Sequence, residues 1–195
     1  MKKYILTLLI LVVANHGYAQ LTPPPGMDSN SQTQNVVIAM PEVALLDLEA
    51  TAGTVINLNP TTPTEAGLAV AFPAIDNSIW MNYSSIVGST TEPSRNVTVQ
   101  ITSGTVPSGT ILEVLASADA GSGDGTMGAP AEAVTLSNNS QNIITGIGSA
   151  YTGDGVSKGH NLSYTLDLAS AAGSYALLDF DDSSTLEITY TLSDN

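Results

Sequence analysis

Three segments of this chain alternate apolar and polar side chains with a period of two. In residues 96–102, Val97, Val99 and Ile101 oppose Thr98, Gln100 and Thr102. In residues 161–168, Leu162, Tyr164, Leu166 and Leu168 oppose Ser163, Thr165 and Asp167. In residues 185–192, Leu186, Ile188, Tyr190 and Leu192 oppose Glu187, Thr189 and Thr191. That pattern suits a strand with one dry face and one wet face, and it scatters apolar groups around a helix. Shorter runs of similar texture recur at 36–40, 43–48, 54–58, 68–72, 78–87, 110–116, 133–137, 142–147 and 175–178, separated by clusters of Gly, Pro, Asn, Asp and Ser. Many short strands with turn signals between them imply an all-β fold, an antiparallel β-sandwich. Only residues 43–50 (VALLDLEA) offer a competing helical pattern. Pro41 before them and Thr51-Ala52-Gly53 after them favour a strand.

Composition narrows the function classes. The chain has 195 residues, four Lys+Arg against 18 Asp+Glu, and a net charge of −14. Nucleic-acid binding needs Lys and Arg to displace counterions from phosphates, so this balance argues against it. The same balance argues against docking on anionic lipid. Hydrophobic residues make up 43%, enough for a core. There is no cysteine, which excludes disulfides, thiolate metal sites and cysteine nucleophiles.

The N-terminus reads as a secretory signal. Lys2 and Lys3 precede an apolar run at residues 5–14, and Gly17-Tyr18-Ala19 places small residues for cleavage between Ala19 and Gln20. The apolar run is about half of what spans a bilayer. The expected organisation is a signal peptide at 1–19, a Pro-rich polar leader at 20–35 and a β-sandwich domain at 36–195. Cleavage removes Lys2 and Lys3 and takes the charge from −14 to −16, leaving Arg95, Lys158 and His160 as the basic side chains. The expected location is secreted, extracellular or cell-surface, with the periplasm as a further compartment, and with no membrane insertion after cleavage.

Candidate chemistry is sparse. Gly155-Val156-Ser157-Lys158-Gly159 fits G-x-S-x-G, with His160 next. A nucleophile elbow needs a strand before the serine and a helix after it, whereas here a loop precedes and a strand follows. No enzyme activity is expected. Calcium is the one candidate cofactor. Asp119 and Asp124 lie in a glycine-rich loop at 119–130, expected to be exposed, and Asp179, Asp181 and Asp182 cluster near the C-terminus. Calcium takes six to eight oxygens, roughly, some of them from loop carbonyls. The competing explanation is that these acids cap their own turns. Trp80 and Tyr151 are candidate ligand platforms for a glycan ring, against a core role for the single tryptophan. The sequons at Asn82, Asn96, Asn138 and Asn161 are expected by chance in a chain so rich in Asn, Ser and Thr.

The signal, polar leader, Thr/Val strands and terminal alternating segment STLEITYTL resemble secreted bacterial surface β-sandwich proteins of the pilin or adhesin type. The resemblance implies an immunoglobulin-like or pilin-like sandwich, with a jelly roll as the other topology. It also implies an acidic, non-catalytic secreted or cell-surface protein with a structural or adhesive role. Its partners would be copies of itself, other surface proteins or glycans. The alternative is a carbohydrate-binding module of an extracellular polysaccharide system.

Overall fold

The computed structural model describes residues 30–195. The expected signal peptide and the prolines of the leader lie outside the described residues. The chain divides into two units, Met1–Ala39 and Met40–Asn195. Of the first, residues 30–39 are exposed and form no strand or helix.

The second unit holds two antiparallel sheets. One contains β1 (Val43–Ala50), β2 (Asp76–Ile86), β4 (Thr110–Ala116), β5 (Asp124–Gly125), β7 (Val134–Thr135), β9 (Ala150–Tyr151) and β10 (His160–Leu168). The other runs β11 (Glu187–Asp194), β3 (Arg95–Ser103), β8 (Gln141–Ile147) and β6 (Ala129–Pro130). There is no α-helix among the described residues. The fold is an all-β sandwich, as the alternation implies.

The longest strand, β2, organises the first sheet. β1 pairs along one edge, from Val43↔Ile86 to Ala50↔Ile79. The other edge is shared in succession by β10, through His160↔Met81, and β9, through Ser84↔Tyr151. Residues 152–159, between β9 and β10, leave the ladder as a loop.

The core follows the parity of the strands. Ile79, Met81 and Tyr83 of β2, Leu112, Val114 and Ala116 of β4, and Leu162, Tyr164 and Leu166 of β10 face inward from the first sheet. Val97, Val99 and Ile101 of β3 meet them from the second, with Ile143, Ile144 and Ile147 of β8. Adjacent Ile143 and Ile144 are both buried because the β3–β8 register slips there, as a bulge allows. Leu186, Ile188, Tyr190 and Leu192 pack on this core from the edge. The Tyr164 and Tyr190 hydroxyls meet at 2.7 Å and link the two sheets. Burial pushes the Tyr164 phenol up to about 12 and Tyr190 higher still.

Some expected strands do not form. Residues 36–40 are exposed, and 54–58 run irregularly. Residues 68–72 contribute only an isolated bridge, Thr61↔Ala71. Ile56, Leu58 and Phe72 pack on the core without joining a ladder, so hydrophobic burial alone is enough to place them. Residues 175–178 fall largely in a 3-10 turn, Ser174–Leu177. The glycine-rich stretch 119–130, expected as a free loop, carries β5 and β6 and lies along β9 and β8. Its glycines make that approach: a Cβ at Gly123 would sit 1.6 Å from the Tyr151 carbonyl oxygen.

Arg95, the only arginine, closes one corner of the sandwich with its side chain 1% exposed. Nε donates to Asp194 Oδ1 at 2.8 Å, and Nη2 to Glu42 Oε1 at 2.7 Å. Nη1 reaches the carbonyls of Val43 and Ile86 at 2.7 and 3.0 Å and Ser85 Oγ at 3.2 Å. Glu92 Oε2 stands 3.6 Å from Nη2. One guanidinium therefore ties together β1, β2, β3 and β11. Replacing it by methionine would leave buried carbonyls unmet and carboxylates facing each other. Arg95→Met should cost about 3–5 kcal/mol, read by urea denaturation. Glu92 has its carboxyl raised by Asp194 and Glu42, which means the folded state favours its protonated form. Glu92→Gln should therefore melt no lower than wild type at neutral pH, with any gain fading as the pH falls below the carboxylate range.

Candidate functional site

The outer face of β2 carries the densest polar chemistry of the described residues. Trp80, Asn82 and Ser84 point outward, opposite in parity to the buried Met81 and Tyr83. Register sets their neighbours. Asp47 of β1 lies opposite Asn82, and Glu49 opposite Trp80. On the other edge, Asn161 lies opposite Trp80 and Tyr151 opposite Ser84.

Asn82 is only 4% exposed although its strand face is the wet one. The 152–159 loop covers it, and Asn82 Nδ2 donates to the Gly155 carbonyl at 3.3 Å. The loop is anchored at both ends. Thr152 N donates to the Tyr83 carbonyl at 3.1 Å, and Thr152 Oγ1 accepts from Tyr83 N at 3.0 Å. At the other end Gly159 takes φ +63 with its Cα pressed on Met81, where a Cβ would sit 2.1 Å from the carbonyl oxygen. The loop thereby brings Asp154 to the β1 acids. Carboxylate oxygens of Asp47, Glu49 and Asp154 lie within 4.8 Å of one another. A second triad, Glu42, Glu92 and Asp194, surrounds Arg95, whose guanidinium forms an ion pair with each. The first triad has no such partner: every ion pair among the described residues belongs to Arg95, and Lys158 Nζ donates instead to Ser122 Oγ.

Beneath the loop lies a buried polar pair. His160 is fully buried and stacks on Tyr83, ring centroids 5.5 Å apart. Its Nδ1 contacts the Ser117 carbonyl at 2.8 Å, so Nδ1 carries a proton. Its Nε2 lies 2.9 Å from the Tyr83 hydroxyl, which also contacts the Met127 carbonyl, so the one phenolic proton has two acceptors within reach. Burial holds the imidazole below its ordinary 6.5 and outweighs the Ser117 carbonyl and Asp119, which act in the opposite sense. Burial, with Asp119 adding, raises the Tyr83 phenol.

The residues singled out in the sequence fall in several places. Asp119 accepts from Gly121 N and Asp124 from Gly125 N. Asp179 accepts from Asp181 N, and Asp182 from Ser108 N. Four of the five thus hold backbone amides, three of them within their own turns, as turn-capping acids do. None of the five belongs to either carboxylate triad. Trp80 is part-buried between Glu49 and Asn161, and Tyr151 is 55% exposed. Trp80 and Ser84, the residue beside Tyr151, are about 13 Å apart along the strand. The two aromatics therefore share a face without forming one platform, and the loop lies over Asn82 between them. Ser157 sits in the exposed loop at φ +62. Its neighbour His160 spends both nitrogens on Ser117 and Tyr83, so the G-x-S-x-G stretch assembles no serine–histidine pair.

The sequence offered no signal for Asn82, Asp47, Glu49 or Asp154 as a group, because they come from two strands and a loop, with Asp154 lying 72 residues beyond Asn82 and more than 100 beyond Asp47 and Glu49. No protein-family model matches the chain, no curated protein matches it, and no solved structure matches it.

A neutral buried histidine gives the fold an acid limit. Because the folded-state pKa of His160 is depressed, its contribution is present above the ordinary 6.5 and lost as pH falls through the lowered value. The melting temperature should drop on acidification from about 6.5 toward the lowered value, the interval in which the unfolded state binds the extra proton. His160→Gln, though less stable at neutral pH, should show a flatter slope there in melts followed by circular dichroism.

Proposed function

We propose that this chain is a non-catalytic structural or adhesive protein of the cell surface or extracellular space that assembles through its sheet edges. The observation that carries this is the run Val36-Val37-Ile38-Ala39-Met40. Its four large apolar side chains are 73–93% exposed, immediately before edge strand β1. A monomer gains nothing by presenting such a segment to water, and exposed apolar β-formers are templates for pairing with another chain. Among the described residues, β1 and β11 each pair in a ladder on one side only. A neighbour's segment added there would gain main-chain hydrogen bonds and bury its apolar side chains, the logic of strand addition. Export by the N-terminal signal belongs to the same proposal.

A carbohydrate-binding role is the second reading, favoured by one observation. Tyr151 stands exposed between two shallow grooves, one lined by Asp47, Asn82 and Asp154, the other by Val43, Asp124 and Ser149. An aromatic face beside carboxylates and an amide suits a sugar ring and its hydroxyls.

Sedimentation of the intact protein over a concentration series separates the two. Assembly predicts concentration-dependent oligomers that a Val37→Pro, Ile38→Pro double variant loses while keeping its melting temperature, because both side chains are exposed and the segment joins no ladder. A monomer at every concentration, or oligomers indifferent to the prolines, would reject it. Retention of glycan by such a monomer, lost in Tyr151→Ala, would favour the second reading.

A further inference from the structure

We propose that Asp47, Glu49 and Asp154, with the side-chain oxygen of Asn82 beneath them, form a binding site for a calcium-class divalent cation. Two independent observations meet here. The first is the triad, three carboxylates converging from β1 and the 152–159 loop within 4.8 Å and joined by none of the ion pairs among the described residues. The second is Asn82 itself. It is 4% exposed, and its Oδ1 is buried with no hydrogen-bond partner. A buried carbonyl-type oxygen without a donor is unfavourable unless something positive reaches it.

The placement of that oxygen follows from its neighbours. Asn82 stands directly opposite Asp47 in the β1–β2 ladder, on the same sheet face. Its Nδ2 is committed to the Gly155 carbonyl on the loop side. The amide is planar, so Oδ1 occupies the fork that Gly155 does not fill, on a residue paired directly with Asp47. Asp47, Asn82 and Asp154 line one groove open to solvent, which leaves an entry path and room for water ligands.

The donor set selects the kind of ion. All four groups offer oxygen, with no imidazole or thiolate, which suits a hard cation. Calcium–oxygen distances of about 2.3–2.6 Å put opposite ligands about 4.6–5.2 Å apart, the scale on which these carboxylates gather. Magnesium needs a tighter octahedron and sheds water reluctantly. Three formal negative charges in a chain of net charge −14 have every electrostatic reason to take up a divalent ion. Bound there, the ion would fasten the loop to edge strand β1 across the top of β2. It would hold Trp80 and Tyr151 on either side of a rigid bridge.

The test uses the purified protein with calcium chloride alone, magnesium chloride as the comparison, and terbium as a luminescent stand-in. Calcium should bind saturably with one-site stoichiometry in titration calorimetry and raise the melting temperature more than magnesium does. Asp154→Asn lies on an exposed loop and Glu49→Gln is a neutral isostere. Each should weaken calcium binding by about tenfold or more, while Asp181→Asn should leave it unchanged. Trp80 faces Glu49, so terbium luminescence should be excited through tryptophan and be displaced by calcium. This readout needs no variant to fold. Equal, non-saturating responses to calcium and magnesium would mean screening of the surface charge and would overturn the site. Calcium binding that survives Asp154→Asn but falls in Asp181→Asn would overturn it equally, in favour of the C-terminal acidic loop.

Discussion

The buried guanidinium of Arg95 is the constraint on which the sandwich corner depends. In a chain so short of cations, one side chain pairs with Glu42 and Asp194 directly and faces Glu92. It also satisfies the main-chain carbonyls at the start of β1 and the end of β2. A planar fork with donors on three nitrogens can do this, whereas a lysine ammonium offers three donors from one point. Because β11 ends at this cluster through Asp194, the C-terminal strand is held by charge at one end. Along its length it is held by Ile188, Tyr190 and Leu192 against the core, with the Tyr164–Tyr190 hydroxyl contact joining the sheets.

The outer face of β2 is built on a second principle, main-chain contact at close range. The 152–159 loop lies on the sheet because Thr152 binds both backbone groups of Tyr83 and because Gly159 can approach the Met81 carbonyl without a Cβ. That contact buries Asn82 from above, while the Tyr83–His160 pair is withdrawn from water on the inner face of the strand. The buried histidine and the carboxylate triad thus lie on the two sides of this strand, one on its inner side and one on its outer side.

How far this could be read beforehand differs by residue. Strands β3, β10 and β11 were legible because Val97/Val99/Ile101, Leu162/Tyr164/Leu166 and Ile188/Tyr190/Leu192 alternate cleanly, and a half-buried strand requires that alternation. Val36-Val37-Ile38-Ala39-Met40 has the composition of a strand and forms none. A strand exists only with a partner edge, and composition carries no information about partners. The glycines at 123 and 125 read as flexibility, yet they permit close packing on β9. Among the candidate site residues, Asp119, Asp124 and Asp179 behave as their local context suggests, holding amides one or two residues on, whereas Asp182 holds the distant Ser108 amide. Trp80 and Tyr151 share a sheet face, but the spacing between them was invisible without the register of β9 on β2.

The sequence by itself determined the class of fold, the identity of the main core faces and the scarcity of cations, because these follow from local periodicity and from counting charges. Only the tertiary structure decided which acids meet. Arg95 selects Glu42, Glu92 and Asp194 out of 18 acidic residues because four strands end at one corner. Asp47, Glu49 and Asp154 converge because β1 pairs with one edge of β2 while the loop crosses from the other. Charge clusters depend on distances through space, and in a sandwich those distances are set by strand register and sheet order, which side-chain patterning along the chain does not encode.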